Sequence, residues 1–212
     1  MATVVDICNR ALVLLGDRGT VSSIDPPEGS AQADHCARFY PMALKEALTA
    51  FPFSFSIKRG TLPRSATQVV GETDKYAFVL PSDCLYLVEA YSQDNRNLPV
   101  EYNIEQIGGV RCVISNQPSM WAKYVSGEVN ASTFTAYFES ALTHRLAAFL
   151  AGALMPGSSG ISQAQDQLKL YEYEIQKAIG ADVIQQRVQH KQVTMLMGDY
   201  TGDLTGGAYV YD

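Results

Sequence analysis

Apolar residues recur at helical spacing near both ends of the chain and at alternating spacing between them, so the pattern predicts helices flanking a β-rich middle. Thr3 can cap a first helix, with Asp6 three residues later in the place of a capping-box acid. Val4, Ile7, Cys8, Ala11, Leu12 and Leu15 then follow on one face, and Gly16 ends the helix. Residues 17–29 read as a loop punctuated by Pro26, Pro27 and Gly29, after which Ser30 can cap a second helix. That helix runs from Ala31 to about Phe51, with Cys36, Tyr40, Ala43, Leu44, Ala47, Leu48 and Phe51 along one stripe. Pro41 lies inside it, and an interior proline costs roughly 3 kcal/mol, so a kink near residues 35–37 or a break at Tyr40 is expected.

After Pro52 the period changes. Phe53-Ser54-Phe55-Ser56-Ile57 alternates, which predicts a strand with three apolar side chains on one face. Residues 76–80, 85–91, 98–104, 111–114 and 120–125 are short, rich in aromatic or β-branched residues and separated by turn sequences, as in a small antiparallel sheet. Helix returns at Ser132 or Thr133, where Phe134, Phe138, Leu142, Leu146, Phe149, Leu150 and Ala153 make a broad apolar face ending at Pro156-Gly157. A last helix carries Ile161, Ala164, Leu168, Tyr171, Ile175 and Ala178 as a seam, which Gly180 interrupts before a continuation through Val183, Ile184, Arg187 and Val188. The fold class is therefore α+β: a bundle of about four helices, an inserted small antiparallel β-sheet subdomain and an extended C-terminal arm. The division falls into residues 1–52 and 129–190 for the bundle, 53–128 for the β-rich insertion and 191–212 for the arm.

Composition narrows the function more than the fold. The chain of 212 residues is 47% hydrophobic and 18% charged, which predicts a real core, and its net charge of -6 argues against a surface built to grip phosphates. Basic residues gather only at Lys58, Arg59 and Arg64, read as an exposed turn, and at Arg187, His190 and Lys191, read as a helix C-terminus. The longest apolar run, residues 146–155, is about half of the roughly 20 residues a spanning helix needs, and the first ten residues lack the pattern of a signal peptide. The expected location is the cytoplasm. Cys8, Cys36, Cys84 and Cys112 are isolated in apolar surroundings and read as reduced, buried thiols.

Candidate chemistry is sparse. His35 and Cys36 are neighbours in sequence, but adjacent helical residues point about 100° apart, which makes a nucleophile–base pair awkward. His144 beside Arg145 reads as a partner-bonded or solvent-facing histidine, and three histidines without helpfully spaced carboxylates make a metal site improbable. Nothing selects two acids from Asp6, Glu46, Glu101, Glu105, Glu139, Glu172 and Glu174 for acid–base work. Gly157-Ser158-Ser159-Gly160 resembles half of a phosphate cradle but lacks the Gly-Lys-Ser/Thr ending, so it reads as a linker. Neither an enzyme nor a cofactor is expected.

The arm is different in kind. Residues 191–212 hold four glycines, three aspartates, three tyrosines and Met195-Leu196-Met197: too sticky for an inert tail and too glycine-rich to fold alone. A segment of this type orders on a partner, and Met195, Leu196, Met197, Tyr200, Tyr209 and Tyr211 are the candidate anchors.

Three stretches, residues 9–16 (Asn-Arg-Ala-Leu-Val-Leu-Leu-Gly), 36–43 (Cys-Ala-Arg-Phe-Tyr-Pro-Met-Ala) and 48–55 (Leu-Thr-Ala-Phe-Pro-Phe-Ser-Phe), resemble the tail tubular protein A family, the head-to-tail adaptors of short-tailed bacteriophages. Phe53 stands where many relatives carry tryptophan, and the likeness is strongest over residues 3–57 and weakest in the arm. The resemblance implies a structural virion protein of the tail connector, assembled in the host cytoplasm. Its subunits would form a ring, typically dodecameric, between the portal protein and the tail nozzle, through which DNA passes without specific binding. It also implies that the C-terminal segment reaches the portal. A tail-tube or head-completion protein assembling without the portal, and more remotely a Cys36-dependent hydrolase, remain the alternatives.

Overall fold

The first helix, α1 (Val4–Leu14), starts where its sequence says it should. The Thr3 hydroxyl accepts from the Asp6 N–H at 3.1 Å and the Asp6 carboxylate accepts from the Thr3 N–H at 2.8 Å, closing the capping box. These features come from a computed structural model that describes residues 2–66, 76–92 and 99–185. The loop after α1 is tied back by Asn9, whose amide donates to the Val21 carbonyl at 2.9 Å and accepts from the Val21 N–H at 2.8 Å. Ser30 caps α2 (Ala31–Thr49) through the Ala33 N–H. The helix runs unbroken through Pro41, so the expected break at Tyr40 does not occur. The proline sits on the exposed face, where water can serve the carbonyl that it leaves without a helical donor.

A second expectation is overturned at residues 53–57. The alternating aromatics do not form a strand; Ser54–Ser56 is a single 3-10 turn, and strand β1 (Ile57–Leu62) begins after it. The turn sends Phe53 and Phe55 into the bundle, where both meet Phe138 at 4.9 Å between ring centroids, and Phe134 meets Phe138 and Phe55 at 4.9 and 5.2 Å. Burying two phenylalanines in an aromatic knot outweighs the ladder bonds that a longer strand would gain.

Among the described residues the β-rich part forms two three-stranded antiparallel sheets rather than one. With β2 (Tyr76–Val79), β3 (Cys84–Ser92), β4 (Asn103–Ile107), β5 (Val110–Ser115) and β6 (Met120–Ser126), the orders are β1-β6-β3 and β2-β5-β4. The first sheet lies between two cores. Val125, with the half-buried Ile57, Tyr86 and Val88, joins the bundle core, while Met120, Ala122, Tyr124, Leu87 and Ala90 pack with Phe78 and Val113 of the second sheet.

A 3-10 turn at Ala131–Thr133 precedes α3 (Ala136–Leu154), capped by Thr135, so the helix starts a few residues later than its apolar pattern suggests. Gly157 makes the turn into α4 (Ser158–Gln185), its φ of 82° lying in the left-handed region. Ser158, Ser159 and Gly160 are the first turn of α4 and not a linker. Gly160 is required there because a Cβ would come within 2.0 Å of the Met155 carbonyl oxygen. Gly180 does not interrupt α4, which pairs extensively with α3. Ile175 and Ala178 of the expected seam are buried, whereas Ile161 is 63% exposed.

Candidate interaction surfaces

Among the described residues, Cys36, His144 and Arg145 are each buried or paired. Cys36 is fully buried, and its thiol hydrogen-bonds that of Cys8 across the α1–α2 contact; this bond and burial push the Cys8 thiol well above its usual value. The sequence alone does not bring these two cysteines together. His35 stacks on Phe39 at 6.4 Å, and Phe39 in turn stacks on Phe149 at 5.8 Å. His144 is partner-bonded, with Nδ1 2.7 Å from the amide oxygen of the buried Gln167. Arg145 pairs with Glu46 and lies 4.4 Å over the Phe149 ring, locking α2 to α3. Among the described residues no group of three or more His, Cys, Asp or Glu side chains could hold a metal ion, and no helix is long and apolar enough to cross a membrane.

Of the first basic cluster, Lys58 and Arg59 lie on strand β1 instead of a turn, Arg64 follows the strand, and Lys58 is spent on structure. Lys58 on β1 donates to Asp83 at 2.7 Å, and Asp83, whose side chain is 10% exposed, also accepts from the Ser126 hydroxyl at 2.7 Å. Burial raises the Asp83 pKa, but the Lys58 and Ser126 hydrogen bonds overcome it, and the carboxyl ends below its ordinary value. The same contact holds the Lys58 ammonium above its ordinary value. In the same sheet Glu89 accepts from Tyr91 at 2.6 Å and pairs with Lys123 at 3.3 Å; burial and the Glu89 bond push Tyr91 up to about 12. Arg64 lies over the Tyr76 ring at 4.1 Å. Arg187, His190 and Lys191 lie outside the described residues, as do the arm anchors Met195, Leu196, Met197, Tyr200, Tyr209 and Tyr211.

What remains open is surface. Along the outer face of α4, Leu170, Tyr173 and Ile184 are 43%, 61% and 86% exposed, a stripe at helical spacing that the bundle does not cover. The end of this helix is fixed by a residue the sequence did not single out. Asp182 is fully buried and accepts from the Ser54 hydroxyl at 2.6 Å and the Ser54 N–H at 3.1 Å, joining the last turns of α4 to the aromatic turn. Asp182 occurs in an otherwise solvated-looking helix terminus, and its partner lies 128 residues away, so no local pattern marks it. Neither a family model nor a curated protein sequence matches the chain.

Proposed function

We propose that this protein is a structural virion subunit, a head-to-tail adaptor that assembles as a ring between the portal protein and the tail nozzle of a short-tailed bacteriophage and lines part of the DNA channel. The supporting observation is where the three family-like stretches fall. Asn9 clamps the loop after α1, Tyr40 is buried in α2, and Phe53 and Phe55 knot the bundle, so the resembling residues are the ones that define the framework. A framework built from them is a physical reason for the likeness to extend to the fold.

The arm supplies the portal contact in this proposal. Asp182 ties the last described turns of α4 to the bundle, and residues 191–212 carry Met195, Leu196, Met197, Tyr200, Tyr209 and Tyr211 as anchors. A charge of -6 per subunit, repeated around a ring, disfavours adhesion of DNA to the channel wall. The test is deletion of residues 191–212. Portal binding is expected to vanish while the melt changes by less than about 0.5 kcal/mol equivalent, as for surface changes. Full-strength portal binding by the truncated chain, or its unfolding, would refute the arm's role. Electron microscopy with and without portal checks the ring.

A further inference from the structure

Two three-stranded sheets present four edges, and the chain treats them in two ways. The β2 edge is closed by the chain before it: the Ser65 N–H donates to the Ala77 carbonyl and the Val79 N–H to the Pro63 carbonyl, both at 2.8 Å. The β3 edge is closed at both ends. Arg111 donates to the carbonyls of Cys84 and Leu85 at 3.1 and 3.4 Å, the Val100 N–H donates to the Ala90 carbonyl at 2.9 Å, and two register irregularities distort the strand.

The β1 and β4 edges are open: no backbone group on their outer sides bonds a described residue. On β4 the directions are fixed by the Gly108–Gly109 turn, whose φ values of 59° and 84° make it a two-residue turn of the primed kind. Ile107 and Val110 flank that turn as a bonded pair, so Asn103, Glu105 and Ile107 address β5, and the backbone groups of Ile104 and Gln106 point outward. The strand has no bulge, proline or lysine, and Ile104 is 44% exposed.

The open edges carry opposite charge beyond their internal pairs. On β1 Lys58 is held by Asp83 and Glu128, which leaves Arg59, while β4 has Glu105, with Glu101 just before it. They are also matched in length, at six and five residues. We propose that β1 of one copy pairs backbone to backbone with β4 of a second copy, running the first sheet of one molecule into the second sheet of the next. Like-edge pairing is disfavoured, since β1 on β1 sets Arg59 against itself and β4 on β4 sets Glu105 against itself. The contact is therefore head to tail, the class that propagates until a ring closes. It deepens the ring assignment above and rests on it for closure.

The experiment uses the full chain, with sedimentation velocity and electron microscopy across a concentration series. Glu105→Lys and Arg59→Glu are each expected to move assembly to roughly tenfold higher concentration, and the double variant to return it to within about threefold of wild type, as for a directly coupled charge pair. Gln106→Pro removes one outward N–H without touching the β4–β5 ladder, and it should weaken assembly with an unchanged circular dichroism spectrum. A wild-type chain that stays monomeric, single variants that assemble like wild type, or a folded double variant that fails to recover would each overturn the pairing. Rings persisting in every variant would remove the edge contact and leave the adaptor role standing. Edge-sensitive rings that ignore the portal would do the reverse.

Discussion

The bundle and the β-rich part are stabilised by different means. In the bundle, four phenylalanines from residues 53 to 138 share one knot, and Ile7, Leu12, Leu48, Leu142, Leu146 and Leu150 are fully buried around them. The sheets have a smaller core and rely on polar ties, chiefly Lys58–Asp83–Ser126 and Glu89–Lys123. A region held by a large apolar core can stand alone, whereas one held by short strands and half-exposed ion pairs has backbone and charge left over for partners. Stability is concentrated in the helices and unspent bonding capacity in the sheets.

The strongest way to break this contrast is Phe138→Ala. It removes the ring that touches Phe53, Phe55 and Phe134, and the expected cost is about 3–5 kcal/mol by denaturant unfolding, with sheets and helices lost together. A loss below about 1 kcal/mol would mean that the aromatic knot is not what holds the bundle.

Asp83→Asn probes the other mode of stabilisation and should cost about 1–2 kcal/mol at neutral pH, discounted for the partial exposure of Lys58. Because the folded Asp83 carboxyl lies below its unfolded value of 3.8, its contribution is present above that value and fades as pH falls through the folded one. Lys58 has the opposite sign: its raised value gives a contribution that is complete below 10.5 and disappears as pH rises through the folded pKa. The difference between wild type and Asp83→Asn in stability against pH should therefore shrink in acid; a constant difference down to pH 2 would exclude an ionic tie.

Ile184→Ser has the smallest expected effect on folding, within about 0.5 kcal/mol, because the side chain is 86% exposed. If the stripe on α4 meets a partner, the same change weakens assembly or portal binding, and a melt lowered by several degrees would instead mark the stripe as part of the core.

The helices were largely legible because a single face of each repeats every three or four residues and the caps are local. Thr3 with Asp6, Ser30 and the apolar stripes of α1, α2 and α3 all lie within one turn of what they satisfy. Legibility failed where a local rule met a distant partner. The alternation at residues 53–57 is a genuine strand pattern, but Phe138 and Phe134, some eighty residues on, draw those rings inward and bend the backbone into a turn. Pro41 and Gly180 are helix breakers by propensity, and packing of α2 and α4 on the rest of the bundle overrides them.

The sequence by itself determined the α+β class, the order of helical and β-rich segments and the capping of the first helices, because each depends on composition or on spacings of a few residues. Tertiary structure alone decided that the described β-rich part divides into two sheets, that Cys8 meets Cys36, that Asp182 anchors Ser54, and that among the described residues β1 and β4 are the two edges left open. Each of these is a contact, or the lack of one, between segments far apart in the chain. A one-dimensional period carries no information about which distant segment will arrive.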